Sequence, residues 1–222
     1  MVRALVFDFD GLILDTEGPI FEAWREIYRA HGQDFLPAEW QHVIGQAAHF
    51  DPFDELERRL GRTLDRERLT VERRVRVREL VEAQPLLPGI VEWRGGARAL
   101  GIKLGIASNS SREWVLGHLD RLGIGDGWDC VRCAEDVARP KPDPDVYLAV
   151  ASCLGVEPEE GVAIEDSPHG VVAAKAAGLY CIAVPNPMTA DLDFTGADIR
   201  LGSLDELPLT KLVQRLGGAP LI

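Results

Sequence analysis

Two aspartates at the end of an apolar run are the first residues in this chain that could do chemistry. Asp8 and Asp10 follow Ala4–Phe7 and are two positions apart, so both side chains can face one crevice if that run is a strand. Glu165 and Asp166 supply a second acidic pair after another apolar run. Neighbouring carboxylates repel each other unless a proton or cation lies between them. Four carboxylates at one locus therefore predict a hard divalent cation, for which Mg²⁺ is the best candidate.

A simpler explanation for these acids is that they are solvated loop residues or helix caps. Asp166 and Ser167 precede a predicted helix, so N-capping alone could explain one member of the set. Capping does not explain why acids follow two separate strands. The complete set favours a cation site.

Other polar residues follow the predicted strands in the same way. Ser108 and Asn109 come after the run Lys103–Ala107, and Lys141 stands between two prolines ahead of a predicted helix. Ligands of open α/β sheets bind beyond the carboxyl ends of the strands. We therefore expect these residues and the four acids to converge on one edge of a sheet.

The elements that must position these residues alternate between short strands and amphipathic helices. Such alternation predicts an α/β fold with a parallel, Rossmann-like sheet covered by helices on both faces. Most of the strand runs are continuously apolar, as expected when both faces of a sheet are buried. The predicted strands are Ala4–Phe7, 128–132, Lys103–Ala107, 162–164 and 181–184.

One long segment contains only helical periodicity. Residues 16–87 include no convincing strand, and Pro85, Pro88 and Gly89 mark the return to the alternating pattern. This pattern predicts a helical cap domain at 16–87, inserted into an α/β core formed by residues 1–15 and 88–222.

Composition and charge limit the classes of partner. The chain has 222 residues and a formal net charge of −12 at pH 7, which argues against nucleic acid because phosphate backbones are bound through lysine and arginine. No apolar run is long enough to span a bilayer or to form a signal peptide. We expect a cytoplasmic protein, monomeric by default. Cys130 and Cys133 form a lone C-x-x-C, and all four cysteines are expected to be reduced core thiols.

Taken together, the motifs resemble those of the haloacid dehalogenase superfamily. In order along the chain they are D-x-D-G-x-x-x-D-T-E from Asp8, a strand ending in Ser108-Asn109, R-P-K-P-D-P around Lys141, and E-D-S-x-x-G-x-x-A-A-x-x-A-G from Glu165. All four motifs of that family are present, and the resemblance covers essentially the whole chain. The helical insertion resembles the cap of the β-phosphoglucomutase-like branch.

The resemblance implies a role for each motif residue. Asp8 would attack phosphorus and become an aspartyl-phosphate, with Asp10 as general acid and base. Asp8, the Asp10 backbone carbonyl and Asp166 would hold Mg²⁺, with Glu165 as a further or outer ligand. The other three roles involve phosphate: Ser108 and the backbone N–H of Asn109 would bind phosphoryl oxygens, and Lys141 would screen the transferred group. Haloacid dehalogenases themselves lack the second aspartate, so Asp10 favours phosphoryl transfer on a small phosphorylated metabolite.

Two enzyme activities and one non-enzymatic role are compatible with this resemblance. β-Phosphoglucomutases carry a histidine shortly after motif one and a cap arginine, whereas this chain has Gly18-Pro19-Ile20 and the loop 45–49 at the comparable positions. Both differences favour a phosphatase over a mutase. A non-catalytic binding module would be expected to have lost a motif residue, and none is lost. From the loop, Gly45, Gln46 and His49 are the candidate substrate-specificity residues.

Overall fold

The computed structural model describes residues 1–44 and 50–217, and within them the chain is built on one parallel sheet. The strand order is β3-β2-β1-β4-β5-β6, and each neighbouring pair is parallel. The strands are β1 (Ala4–Phe7), β2 (Lys103–Ala107), β3 (Cys130–Arg132), β4 (Gly161–Glu165), β5 (Tyr180–Ala183) and β6 (Ile199–Arg200). The predicted α/β class and parallel sheet are confirmed.

Helices cover both faces of the sheet. The helices are α1 (Glu17–Ala30), α2 (Pro37–Ile44), α3 (Pro52–Leu60), α4 (Arg66–Glu82), α5 (Ile90–Ala99), α6 (Arg112–Arg121), α7 (Asp145–Leu154), α8 (Pro168–Ala176) and α9 (Leu209–Gly217). Apolar side chains of α5, α6 and α9 pack in one core cluster, and those of α7 and α8 pack in another. Alternate residues of β1 point into the two clusters, so its run is apolar throughout.

Strand register aligns the carboxyl ends of the three central strands. Phe7, the last residue of β1, lies opposite Ile106 of β2 and Ile164 of β4. The residues that follow each strand are therefore level with one another at one edge of the sheet. This alignment places the predicted polar clusters side by side.

Where it is described, the chain between β1 and α5 forms four α-helices with their own apolar cluster. This third cluster includes Trp24 and Tyr28 of α1 and Phe53 and Leu56 of α3. The segment departs and returns at adjacent points, because Leu14 forms an antiparallel bridge with Leu86. Within the described residues of 16–87 no strand occurs, in agreement with the helical periodicity, and the cap boundaries stay a prediction.

Among the described residues, three α-helices and one strand were not predicted from the sequence. They are α2, α5, α9 and β6. Strand β6 has two residues, too few to show an alternating pattern, and α2 is close to the shortest length at which helical periodicity can be recognised. None of the helices in the described ranges is long and apolar enough to cross a membrane.

The expectation that all cysteines are reduced is wrong for two of them. Cys130 on β3 and Cys153 on α7 form a disulfide with Cα atoms 6.2 Å apart, whereas Cys133 and Cys181 are free and buried. The partner of Cys130 is 23 residues away in the chain, so the nearby C-x-x-C spacing gave no indication of it. Packing of α7 against the edge strand brings the two cysteines together.

Candidate active site

The predicted catalytic residues meet at the carboxyl edge of the sheet. Asp8 follows β1, Ser108 follows β2, and Asp166 follows β4, while Lys141 reaches the same place from the loop between β3 and α7. All four side chains are buried, with exposed fractions of 9% or less. Together with Asp10 and Asn109 they line one cavity of about 350 Å³. The convergence expected from the strand ends is therefore present.

A buried lysine joins two of the acids. Lys141 Nζ lies 2.5 Å from Asp8 Oδ1 and 2.6 Å from Glu165 Oε1, and it also donates to the backbone carbonyl of Ala107 at 2.9 Å. Burial lowers the pKa of Lys141, but the carboxylates of Asp8 and Glu165 raise it more, so the pKa rises overall. The ammonium group is therefore charged and fixed beside the candidate nucleophile.

Asn109 holds the loop that carries this lysine. Its side-chain Oδ1 accepts a hydrogen bond from the Lys141 N–H at 2.9 Å, and its Nδ2 donates to the Lys141 carbonyl at 3.2 Å. The peptide bond from Lys141 to Pro142 is cis. The Asn109 side chain thus fixes the backbone of Lys141. The backbone N–H of Asn109 is then the group of this residue that is available to a phosphate.

Hydrogen bonds satisfy both oxygens of Glu165. Tyr147 donates to Oε1 at 2.5 Å alongside Lys141, and Oε2 accepts from the backbone N–H of Asp166 and from Ser167. Gly170 leaves room for this carboxylate, because an added Cβ would lie about 1.9 Å from it. With every lone-pair direction engaged, Glu165 is better placed to orient its neighbours than to contact a cation directly.

Asp166 is anchored by residues from two other segments. Its Oδ2 accepts a hydrogen bond from Asn186 Nδ2 at 2.7 Å. Gly11 lies against the same oxygen with φ of 80°, and a Cβ there would lie 2.1 Å from it, so only glycine fits. Asp166 does not cap α8; Ser167 does, accepting from the N–H of Gly170. The capping explanation for Asp166 is therefore wrong.

Three carboxylates form a potential cation site. Asp8, Glu165 and Asp166 offer oxygen atoms that all lie within 4.8 Å of one another, and in the described part of the chain this is the one such group of three acids, histidines or cysteines. Burial, with Glu165 and Asp10 nearby, raises the pKa of Asp8 to about 8 despite the attraction of Lys141. Burial and the charges of Asp8 and Glu165 raise the pKa of Asp166 as well. One lysine does not balance three buried acids, so the site fits an added cation with a preference for oxygen ligands.

The Asp10 carboxylate lies outside this cluster. Its Oδ2 accepts hydrogen bonds from Ser110 at 2.6 Å and Ser108 at 3.4 Å, and its Oδ1 accepts one from the indole N–H of Trp114 at 2.9 Å. Asp10 could therefore reach a cation only through its backbone carbonyl, as the motif comparison implies. Its side chain faces the cavity as a separate acid.

The cavity is also lined by residues that were not predicted from the sequence to be catalytic. Glu17, Ile20, Trp114 and His169 lie there. Burial and the nearby Asp10 raise the pKa of Glu17 to about 7, although the indole of Trp40 donates a hydrogen bond to it at 3.2 Å. These side chains line the same cavity as Asp8.

Some site residues could have been found from the sequence, and others could not. Asn186 follows β5, so the strand-end argument applied to that strand would have selected it. Tyr147 and Trp114 belong to helices, and their contacts depend on packing that no local motif reveals. The predicted substrate residues Gly45, Gln46 and His49 lie outside the described residues.

Known proteins resemble this chain over most of its length. Residues 2–178 match the haloacid dehalogenase-like hydrolase family. Putative phosphatase YhcW of Bacillus subtilis (strain 168) is 44% identical over 97% of this chain and 98% of its own, and hexitol phosphatase B of Escherichia coli (strain K12) is 33% identical over 96% and 97%. The crystal structure of CbbY from Rhodobacter sphaeroides in complex with phosphate is 30% identical and covers 93% of this chain and 96% of its own, with a TM-score of 0.73.

Proposed function

The chain belongs to the haloacid dehalogenase-like hydrolases, and from that membership we propose that it hydrolyses a small phosphate monoester through a phosphorylated Asp8. Its phosphatase relatives support its classification as a phosphoric monoester hydrolase. The observation that carries the mechanism is the position of Asp8, which lines the cavity, accepts a hydrogen bond from Lys141 and belongs to the acidic cluster with Glu165 and Asp166.

In the first chemical step, a carboxylate oxygen of Asp8 attacks the substrate phosphorus. The new bond joins Asp8 to phosphorus, and the bond from phosphorus to the leaving oxygen breaks. Asp10 donates a proton to that leaving oxygen. In the second step a water attacks the aspartyl-phosphate and gives its proton to Asp10, which releases inorganic phosphate and restores Asp8.

We propose that the metal is Mg²⁺ and that Asp8, Asp166 and the backbone carbonyl of Asp10 would hold it. Glu165 would support the site without contacting the ion directly. When bound, a divalent ion neutralises charge on the nucleophile and on the phosphoryl oxygens. Asp166 has the support that such a ligand requires, because Asn186 fixes one of its oxygens and Gly11 leaves room for the carboxylate.

The phosphoryl group of the substrate would be bound by residues next to Asp8. Ser108 supplies a hydroxyl at the end of β2, Asn109 supplies a backbone N–H, and Lys141 supplies a fixed positive charge. These groups provide the local positive potential that an acidic protein needs to attract an anionic substrate. The bound phosphate in the crystal structure of CbbY supports a phosphate site in this fold.

We assign the leaving group to a carbohydrate or polyol. Hexitol phosphatase B supports this class by its name, and Glu17 adds a carboxylate beside Asp10 that could accept hydrogen bonds from substrate hydroxyls. The helical segment 16–87 would act as a cap that closes over the leaving group, with residues 1–15 and 88–222 as the core. Gly45, Gln46 and His49 are proposed to contact the organic part of the substrate. A cytoplasmic location stays a prediction.

Water is the proposed acceptor of the phosphoryl group, so a sugar phosphate mutase activity is not expected. The residues after Thr16 are Glu17-Gly18-Pro19-Ile20 at the start of α1, and none is the histidine that mutases carry after motif one. Ile20 instead lines the cavity with an apolar side chain.

The test is phosphate release from p-nitrophenyl phosphate and a panel of sugar, polyol and nucleotide phosphates, with Mg²⁺ or with EDTA. Wild type is compared with Asp8→Asn and with Asp54→Asn, an exposed acid on α3 that serves as a matched control. We expect metal-dependent release that disappears only in Asp8→Asn. Isomerisation of hexose phosphates with little phosphate release would instead establish a mutase. Folded, metal-loaded wild type that turns over nothing in the panel would contradict the proposal.

A further inference from the structure

The indole of Trp114 contacts the proposed acid–base residue directly. Its Nε1 donates to Asp10 Oδ1 at 2.9 Å, while the hydroxyl of Ser110 donates to Oδ2 at 2.6 Å. The two donors approach different oxygens, so together they fix the rotation of the carboxylate as well as its position. Donors on Oδ2 alone, where Ser108 also donates at 3.4 Å, would leave the carboxylate freer to turn.

Helix α6 determines where this indole lies. Ser111 caps the helix and accepts a hydrogen bond from the backbone N–H of Trp114 at 3.3 Å. One turn later, the imidazole of His118 meets the indole edge to face, with ring centroids 4.3 Å apart and planes at 74°. Trp114 is therefore held both at its backbone and along its ring.

His118 is itself supported on two sides. Its ring stacks against Phe9, the residue between the two motif aspartates, with centroids 6.4 Å apart. Its Nδ1 accepts a hydrogen bond from Arg121 Nε at 3.3 Å, and burial together with Arg121 lowers its pKa, so the ring is neutral. The Arg121 guanidinium also donates to the backbone carbonyl of Glu82 at the end of α4 at 2.9 Å. This row of contacts supports the ring of Trp114.

We propose that Trp114 is a positioning residue that holds the Asp10 carboxylate where it can exchange a proton with the leaving oxygen. The inference rests on the proposed phosphatase function and assigns a role that the four motifs do not include. Without the indole N–H, Asp10 Oδ1 loses its donor and the carboxylate can rotate away from the leaving group. The effect depends on how much the leaving group needs a proton.

Leaving groups of different basicity separate this role from a structural one. An alkoxide from a sugar or polyol phosphate must take a proton from Asp10 as its bond to phosphorus breaks. The p-nitrophenolate ion leaves as a stable anion and needs no proton. A displaced Asp10 therefore slows phosphoryl transfer from alkyl phosphates and spares transfer from p-nitrophenyl phosphate. The ratio kcat/KM reports transfer to Asp8 and excludes the later hydrolysis of the aspartyl-phosphate.

The experiment compares Trp114→Phe with wild type, using Mg²⁺ and both p-nitrophenyl phosphate and the best alkyl phosphate of the panel. Phenylalanine keeps an aromatic ring against His118 and removes the N–H. We expect kcat/KM for the alkyl phosphate to fall by about tenfold to a hundredfold, at or below the lower end of what general acid catalysis contributes, with little change for p-nitrophenyl phosphate. Trp128→Phe is the matched control, because it removes an indole N–H that donates to Ile124 instead. In that variant, kcat/KM for the two substrates should change by the same factor.

Two further variants exclude a merely structural effect. Trp114→His retains a ring N–H and should recover part of the lost activity on the alkyl phosphate. In an Asp10→Asn background, Trp114→Phe should lower kcat/KM for the alkyl phosphate little further, because the acid that Trp114 positions is already absent. Equal losses on both substrates, or no loss on either, would overturn the role of Trp114 and leave the phosphatase function intact. A wild type that releases no phosphate would overturn both.

Discussion

Glu165 accepts a hydrogen bond from Lys141 at 2.6 Å, and both side chains are buried next to the proposed nucleophile Asp8, to which Lys141 also donates. Tyr147 and the start of α8 complete the hydrogen bonds of Glu165. The lysine therefore takes its position from an acid that contacts no substrate. Replacing that acid should affect both folding and catalysis.

For Glu165→Gln we expect a loss of stability of about 3 kcal/mol, because the substitution removes one partner of a buried ion pair and turns a donor toward other donors. Phosphatase activity should fall too, since Lys141 loses one of its two acidic partners. Urea unfolding and initial rates measure the two effects. Tyr147→Phe, which removes one neutral donor from the same carboxylate, should cost about 1 kcal/mol. Similar losses in the two variants would show that the charge of Glu165 is unimportant.

Asn186→Ala should weaken metal binding. The amide orients Asp166 through a 2.7 Å hydrogen bond, and loss of such a partner typically reduces metal affinity by about 10- to 100-fold. Titration calorimetry with Mg²⁺ measures the change. Thr189→Val is the control, because the Thr189 hydroxyl contacts the backbone of Asn186 and not its side-chain amide. If both variants bind the ion equally well, Asn186 does not support the metal ligand.

Stability of the metal-free protein should fall as pH rises between about 4 and about 8, all else being equal. The pKa of Asp8 is raised from 3.8 to about 8, so across this window the folded state binds a proton that the unfolded state has released. A cation that binds Asp8 competes with this proton. The increase in melting temperature caused by Mg²⁺ should therefore grow with pH.

Melting curves with Mg²⁺ and with EDTA, recorded across that window, measure this effect. In Asp8→Asn the asparagine does not titrate there, so the pH dependence of the metal effect should become shallower. A metal effect that stays constant with pH in wild type would mean that Asp8 does not bind the ion in competition with a proton.

Two glycine-to-alanine substitutions in helices should have opposite effects. Gly170 of α8 has the Glu165 carboxylate within about 2 Å of where its Cβ would lie, whereas Gly95 of α5 has open space there. We expect Gly170→Ala to cost about 1–3 kcal/mol through overpacking. Gly95→Ala should raise the free energy of unfolding by up to about 1 kcal/mol, because alanine has the higher helix propensity. Thermal unfolding distinguishes the two. A stabilising Gly170→Ala would show that the carboxylate moves without cost.

Chain-local features allowed the sheet and the acidic cluster to be predicted. The run Ala4–Phe7 forms β1 with the predicted bounds, because a continuously apolar run followed at once by two acids marks both the buried strand and its end. Register then aligns β1 with β2 and β4, which places Asp8 beside Ser108 and Asp166. Strand order and register follow from the fold class rather than from any one residue.

The remaining site residues depend on contacts between distant elements. Trp114 and Tyr147 reach the acids from helices, and neither has a sequence neighbour that predicts its direction. Cys130 and Cys153 pair because α7 packs on an edge strand. Asn186 differs from these, because it closely follows the last residue of β5 in the sequence.

The bridge between Leu14 and Leu86 makes the helical segment an exchangeable part of the molecule. Both of its ends are fixed at one point on the core, so the chain entropy of closing the segment rises only slowly with its length. Helices of other lengths and sequences could be grafted between these two leucines without altering β1, β2 or β4. As the proposed cap, this segment would allow substrate preference to diverge in evolution, or to be redesigned, while Asp8, Ser108 and Asp166 remain unchanged.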